Sequence, residues 1–261
     1  MGYLNKRRDG FYLDIKLDHI VHFIEGEPDK AIEEFKKHHY KAVQGGRHET
    51  WGTYNSLLYL QSSYIEFLAV ENQAIASQSD NPLISQLITD LSNGEGIGQI
   101  CFRTNNIESL KRDFEENGFD VLPILPGRRN RSDGKLIQWK MLFLKKQHSM
   151  PFPFFIEWAE DDEARYKEFK QQGILDEKLV HTNIETITFQ VNDIDAAPIA
   201  WATLFDVPVI KQNKVSAKIE IGGVAIIFNQ AINGRGDRPY KVTFQPPLSS
   251  GEVSLYGSTY R

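Results

Sequence analysis

Two glutamates interrupt strand-like runs that are otherwise apolar: Glu66 in YIEFLAV and Glu157 in FFIEW. Alternate residues of a pleated strand share a face, so Tyr64 and Leu68 flank Glu66 on its own side, while Ile65 and Phe67 line the other. A strand apolar on both faces is buried on both. An ionised carboxylate there is destabilising unless it is paired, hydrogen-bonded or bound to a metal. Such a group is also a candidate general base. The pairing partners in reach of the sequence are Arg47 or Arg103 for Glu66, and Arg128 for Glu157. Arg47, His48, Trp51 and Asn55 follow the Gly45-Gly46 pair and lead into the Glu66 strand. They could line a pocket mouth and hold an anionic or carbonyl substrate. Arg47 and Asn55 could equally satisfy the backbone of a tight Gly45-Gly46 turn. Arg128, Arg129 and Arg131 cluster on a stretch read as a loop over 123–134, which is either solvated or anion-binding.

The elements that must position these groups come in a repeated order. Leu17–Ile24 alternates as a strand, with Leu17, His19, Val21 and Phe23 on one face and Asp18, Ile20, His22 and Ile24 on the other. A helix over 29–38, a short strand at 41–43 and the strands 54–60 and 64–70 complete a β-α-β-β-β unit. A connecting helix over 83–91 carries Leu83, Leu87 and Leu91 on one stripe. The same order then restarts: a strand at 98–104, a helix over 107–117 with Asn106 as N-cap, a short strand at 120–122 and strands at 135–144 and 152–160. A third copy begins at 183. The spacings His19 to Phe35, Gln99 to Phe114 and Thr186 to Trp201 agree within one residue, so His19, Gln99 and Thr186 are matched positions on the three first strands. Glu66 and Glu157 match on the fourth strands, where the third copy has Ile226 and Ile227.

The fold class this order implies is α+β, with tandem βαβββ modules: a peripheral segment over 1–15, two paired modules over 16–162, and a degenerate third module with a tail over 163–261. The chain has 261 residues, 41% hydrophobic and 11% aromatic, enough for a substantial core. Net charge is −5, which gives no basic footprint for nucleic acid. No apolar run is long enough for a membrane span, and the start has basic residues but no apolar core of a secretory signal. The single cysteine, Cys101, excludes an internal disulfide framework and suits a cytoplasmic setting. It lies in an apolar strand and reads as core, as do Trp139 and Trp158. His22, facing away from His19, reads as structural.

GGRHETWGT with YIEFLAVEN, then RRNRSDGKLIQW with FFIEW, resembles the bacterial glyoxalase-like domain family of the vicinal oxygen chelate superfamily. The resemblance implies a cup-shaped mixed sheet built from two paired modules. It further implies a divalent metal at the cup's centre, held by His19 and Glu66 from the first module and Gln99 and Glu157 from the second. One imidazole, one amide oxygen and two carboxylates would suit Zn, Ni, Mn, Fe, Co or Mg.

Two functions from different classes follow. One is a metal-dependent lyase, isomerase or hydrolase acting on a small carbonyl or hydroxy-acid compound, with Glu66 or Glu157 as general base. The other is a non-catalytic protein that sequesters a small molecule in the same cup, without metal. Either takes a small-molecule ligand. The apolar fourth strand of the third copy could pack in the core or against a second subunit, as a homodimer.

Overall fold

The alternating residues of Leu17–Ile24 do form the central strand, and everything else is arranged around it. The computed structural model describes residues 5–6, 12–130, 134–145, 150–232 and 236–261, with the side chains of residues 5–13 left aside. Two short strands, β1 (Asn5–Lys6) and β2 (Tyr12–Leu13), pair antiparallel. The first module follows as β3 (Lys16–Phe23), α1 (Asp29–Lys37), β4 (Val43–His48), β5 (Thr53–Tyr59) and β6 (Tyr64–Val70). Helices α2 (Gln73–Ala76) and α3 (Pro82–Leu91) lead to the second: β7 (Gly96–Arg103), α4 (Ile107–Glu116), β8 (Leu125–Asn130), β9 (Leu136–Leu142) and β10 (Phe154–Trp158).

These eight strands form one sheet in the order β4-β5-β6-β3-β7-β10-β9-β8. The two halves mirror each other across the antiparallel pair β3–β7, so the first strands of both modules lie at the centre. The sheet curls into a cup whose edges meet: Arg129 of β8 donates from Nη1 to the Gly45 carbonyl of β4 at 2.8 Å.

Helix α5 (Asp162–Gln171) leads to the third module, β11 (Asn183–Val191), α6 (Ala196–Phe205), β12 (Ile210–Asn213), β13 (Ser216–Ile221) and β14 (Val224–Gln230). The strands β15 (Arg238–Gln245), β16 (Val253–Leu255) and β17 (Ser258–Tyr260) complete a second sheet, ordered β12-β13-β14-β11-β15-β17-β16. One apolar core joins both sheets. It takes Ile20, Ile100 and Phe102 from the first, Ile187, Phe228 and Phe244 from the second, and Phe35, Phe114 and Trp201 from α1, α4 and α6. His22 belongs to this core, with Tyr260 Oη on its Nδ1 at 2.5 Å and the Tyr256 carbonyl on its Nε2 at 3.0 Å. A second apolar cluster fills one end of the cup beneath α3, with Phe23, Leu68, Leu87, Cys101 and Phe143.

Two local expectations are corrected. The Gly45-Gly46 pair is not a tight turn but the middle of β4, at a register shift against β5. Glycine is required there by close approach: a Cβ on Gly45 would meet Asn55 Oδ1 at 1.9 Å, and one on Gly46 would meet Arg129 Nη1 at 2.0 Å. The stretch expected as an arginine-rich loop contains β8, which pairs with β9 from Leu125 to Asn130. Arg131 lies outside the described residues.

Candidate functional site

On β3 a register shift against β7 falls between Leu17 and His19. A bulge puts two residues opposite one and re-aims a side chain. Here Asp18 and His19, consecutive in sequence, reach each other: His19 Nδ1 lies 2.6 Å from Asp18 Oδ1. Both are almost fully buried, at 2% and 3% exposure. The second Asp18 oxygen accepts from the indole Nε1 of Trp158 at 3.0 Å, with the Arg103 and Arg165 guanidinia at 3.8 and 4.0 Å. Burial alone would raise the Asp18 carboxyl. The His19 hydrogen bond and the nearby positive charges outweigh it, holding Asp18 well below the usual carboxylate range. An ionised carboxylate only accepts, so Nδ1 carries the proton and Nε2 is the ring atom left for chemistry.

That Nε2 lies 3.5 Å from Glu66 Oε2. Strand β6 runs parallel beside β3 and puts Glu66 next to Val21, on the His19 side. Asn55 on β5 fixes the other Glu66 oxygen, donating from Nδ2 to Oε1, while its own Oδ1 accepts from Gly46 N at 2.8 Å. The missing side chain at Gly45 makes room for this amide. His48 sits nearby, its Nδ1 3.1 Å from Thr53 Oγ1. Its pKa falls to about 4, chiefly because burial disfavours the imidazolium; Glu66 opposes this and Arg129 adds to it.

These groups open into a cavity of about 620 Å³, within the usual range for a small-molecule site. Its walls are aromatic. Tyr64 stacks on His19 with ring centroids 4.5 Å apart. Trp51, Trp139 and Trp158 form a chain, with centroids 6.0 and 5.6 Å apart. Arg165 of α5 covers Trp158 at 3.9 Å.

The structure brings together His19, Glu66, Asn55, His48 and Trp51 of the residues expected from sequence. It places four others elsewhere. Gln99 alternates with Cys101 on β7, but α3 covers that end of the sheet; its Nε2 donates to Gln86 Oε1 at 3.1 Å and to the Phe152 carbonyl at 3.0 Å. Strand β10 turns Phe154, Ile156 and Trp158 into the cup. Glu157 therefore points out, and accepts from the backbone N of Ile107 at the start of α4 at 2.6 Å. Arg47 is exposed and paired with Glu71 at 2.5 Å, and Arg128 points outward from β8. Trp139 is buried in the second apolar cluster, as expected, and Trp158 packs against it; both also line the cavity. The sequence reading missed Asp18 and Arg165, and named Arg129 only as one of the Arg128, Arg129 and Arg131 cluster. For Asp18 the only signal was its adjacency to His19, and strict alternation argued against it.

The four-donor metal set therefore does not assemble. The cup floor supplies His19 Nε2 and Glu66 Oε2, whereas protein-held catalytic metals ordinarily take about three protein ligands or more. Donor atoms of Asp18, His19 and Cys101 do lie within 4.8 Å of one another. However, both Asp18 oxygens are engaged by His19 and Trp158, and the Cys101 side chain is packed in the second apolar cluster. These residues do not fit a resident metal centre of that kind.

Residues 17–205 match the glyoxalase-like domain family. The chain belongs to that family. Its tandem βαβββ modules and curled sheet make it a member of the vicinal oxygen chelate superfamily. A hypothetical protein from Staphylococcus aureus shares the fold at 24% identity, over 95% of this chain and 98% of its own, with a TM-score of 0.82. A mutant of 4-hydroxymandelate synthase from Streptomyces coelicolor aligns at 9% identity over 88% of this chain and 70% of its own, with a TM-score of 0.50. No curated protein matches the sequence. Among the described residues of this family member, no helix is long and apolar enough to cross a membrane.

Proposed function

We propose that this glyoxalase-like protein is a lyase, isomerase or hydrolase that moves a proton on a small carbonyl or hydroxy-acid compound bound in the cup. The observation that carries this reading is that His19, on the cavity floor, is held between the buried Asp18 and the cavity-lining Glu66. His19 Nε2 removes a proton from a carbon beside the carbonyl; the electron pair moves onto the carbonyl oxygen as an enolate. Asp18 holds the ring in the correct tautomer and stabilises the imidazolium that forms, as buried carboxylates do beside catalytic histidines. Glu66, fixed by Asn55, receives a substrate hydroxyl or relays the proton back.

The alternative is a non-catalytic binding protein, and the aromatic walls favour it as much as they favour an enzyme. Solvent exchange separates the two. Candidate carbonyl and hydroxy acids are incubated with the protein in deuterium oxide and followed by proton NMR. The enzyme reading expects deuterium to enter one of them with wild type and not with His19→Gln. A compound that binds wild type tightly, with no exchange and no product, supports the binding protein.

A further inference from the structure

The cavity holds two guanidinium groups, and they are not equivalent. Arg165 lies over Trp158 and is flanked by Asp162 at 3.6 Å and Asp18 at 4.0 Å, so its charge is already answered. Arg129 makes one hydrogen bond among the described residues, Nη1 to the Gly45 carbonyl. The guanidinium carries five N–H donors in a planar fork, which matches a carboxylate in two-point contact. Gly46 lets it lie there, since any side chain at that position would strike Nη1. No acidic side chain among the described residues pairs with Arg129, although both Arg129 and Glu66 act on the charge state of His48. Two further carboxylates line the cavity, Glu160 and Glu168, and both pair with Lys135, at 2.8 and 2.6 Å.

A cation with spare donors beside clustered indole and phenol rings defines a ligand class. We infer that the cup binds an aromatic monocarboxylate: the ring packs between the Trp51–Trp139 and Tyr59–Tyr64 pairs, and the carboxylate docks on Arg129. The nearby Glu66 disfavours a dianion such as a phosphate monoester. The inference narrows the ligand of the site proposed above, but its test needs no turnover.

The probes are 2-naphthoate, its neutral isostere 2-naphthamide, and cyclohexanecarboxylate, with binding read by tryptophan quenching and by calorimetry. Wild type should bind 2-naphthoate at least about tenfold more tightly than either comparison, the scale of one charge-assisted contact. Arg129→Gln should abolish the preference for the acid over the amide while leaving amide binding in place. Arg128→Gln, which removes the same charge from the outer face, should leave the preference intact. Equal binding of acid and amide by wild type, or an unchanged preference in Arg129→Gln, would overturn the assignment. Loss of amide binding in Arg129→Gln, with the fold intact by circular dichroism, would also overturn it, since Arg129 would then be shaping the cavity. If 2-naphthoate binds as expected but no compound exchanges deuterium, the catalytic reading fails and this one stands. If a compound exchanges deuterium but 2-naphthoate binds no better than the amide, the reverse holds.

Discussion

Asp18 Oδ1 lies 2.6 Å from Nδ1 of His19, its own neighbour in the same strand. Regular alternation would separate two such side chains by the thickness of the sheet. The bulge between Leu17 and His19 removes that separation and makes an acid–imidazole pair from two consecutive residues. Asp18→Asn should therefore switch the His19 tautomer. The asparagine can donate, so Nδ1 becomes an acceptor and the proton moves to Nε2. Nitrogen-15 chemical shifts of His19 report this directly. Deuterium exchange on a substrate should fall by about 10²-fold or more, the scale of a misdirected general base. An unchanged tautomer in Asp18→Asn would remove Asp18 from the mechanism.

Metal titration tests the donor count. Among the described residues the floor pairs His19 Nε2 with Glu66 Oε2 and adds no third donor of that set, so Mn, Ni or Zn should raise the melting temperature little, and by the same amount in wild type and Glu66→Gln. A rise of several degrees confined to wild type would show that the floor completes a metal site with water or substrate. Glu66 would then be its ligand.

The matched spacing of the modules made their order and pairing legible, and placed His19 and Glu66 on one face and His22 on the other. Spacing to a helix aromatic does not fix which face a strand residue takes. That depends on register, and one residue of slip reverses it. Glu157 shows the consequence: Phe154, Ile156 and Trp158 face the cup, so the glutamate between them cannot. Gln99 failed for a different reason, since the covering helix α3 comes from a connection outside the repeat. Arg129 could not be told from Arg128 and Arg131 because a Gly/Pro-rich stretch reads as a loop, where alternation has no meaning. Gly127 is there for strand packing instead, its Cβ position lying 2.2 Å from the Trp139 ring.

Glu157→Gln should be a stability variant only. The carboxylate accepts from the first N–H of α4 and sits at the positive end of that helix. Removing its charge should cost about 0.5–1 kcal/mol in urea denaturation, the usual scale for a helix N-terminus. Binding of 2-naphthoate should not change. A loss of binding larger than threefold would place Glu157 back in the site.

The last prediction concerns acid. His22 and His48 are both buried, and burial lowers them to about 3 and about 4 from an ordinary value of 6.5. Arg238 adds to the lowering at His22, where the Tyr256 hydrogen bond opposes it. For a depressed histidine the unfolded chain takes up its proton first. Stability should thus be flat above about pH 7 and fall as pH drops through 6.5 toward 4, where the unfolded state binds more protons than the folded one. Asp18 contributes nothing to this slope, because its depressed carboxyl is ionised in both states until pH nears 4. His22→Gln keeps an acceptor toward Tyr260 and a donor toward the Tyr256 carbonyl without a titrating group. Urea melts between pH 7.5 and 4.5 should show a shallower loss for His22→Gln than for wild type, and a shallower one again when His48→Gln is added. Identical slopes in all three proteins would mean that neither imidazole is held neutral, and that the acid sensitivity arises elsewhere.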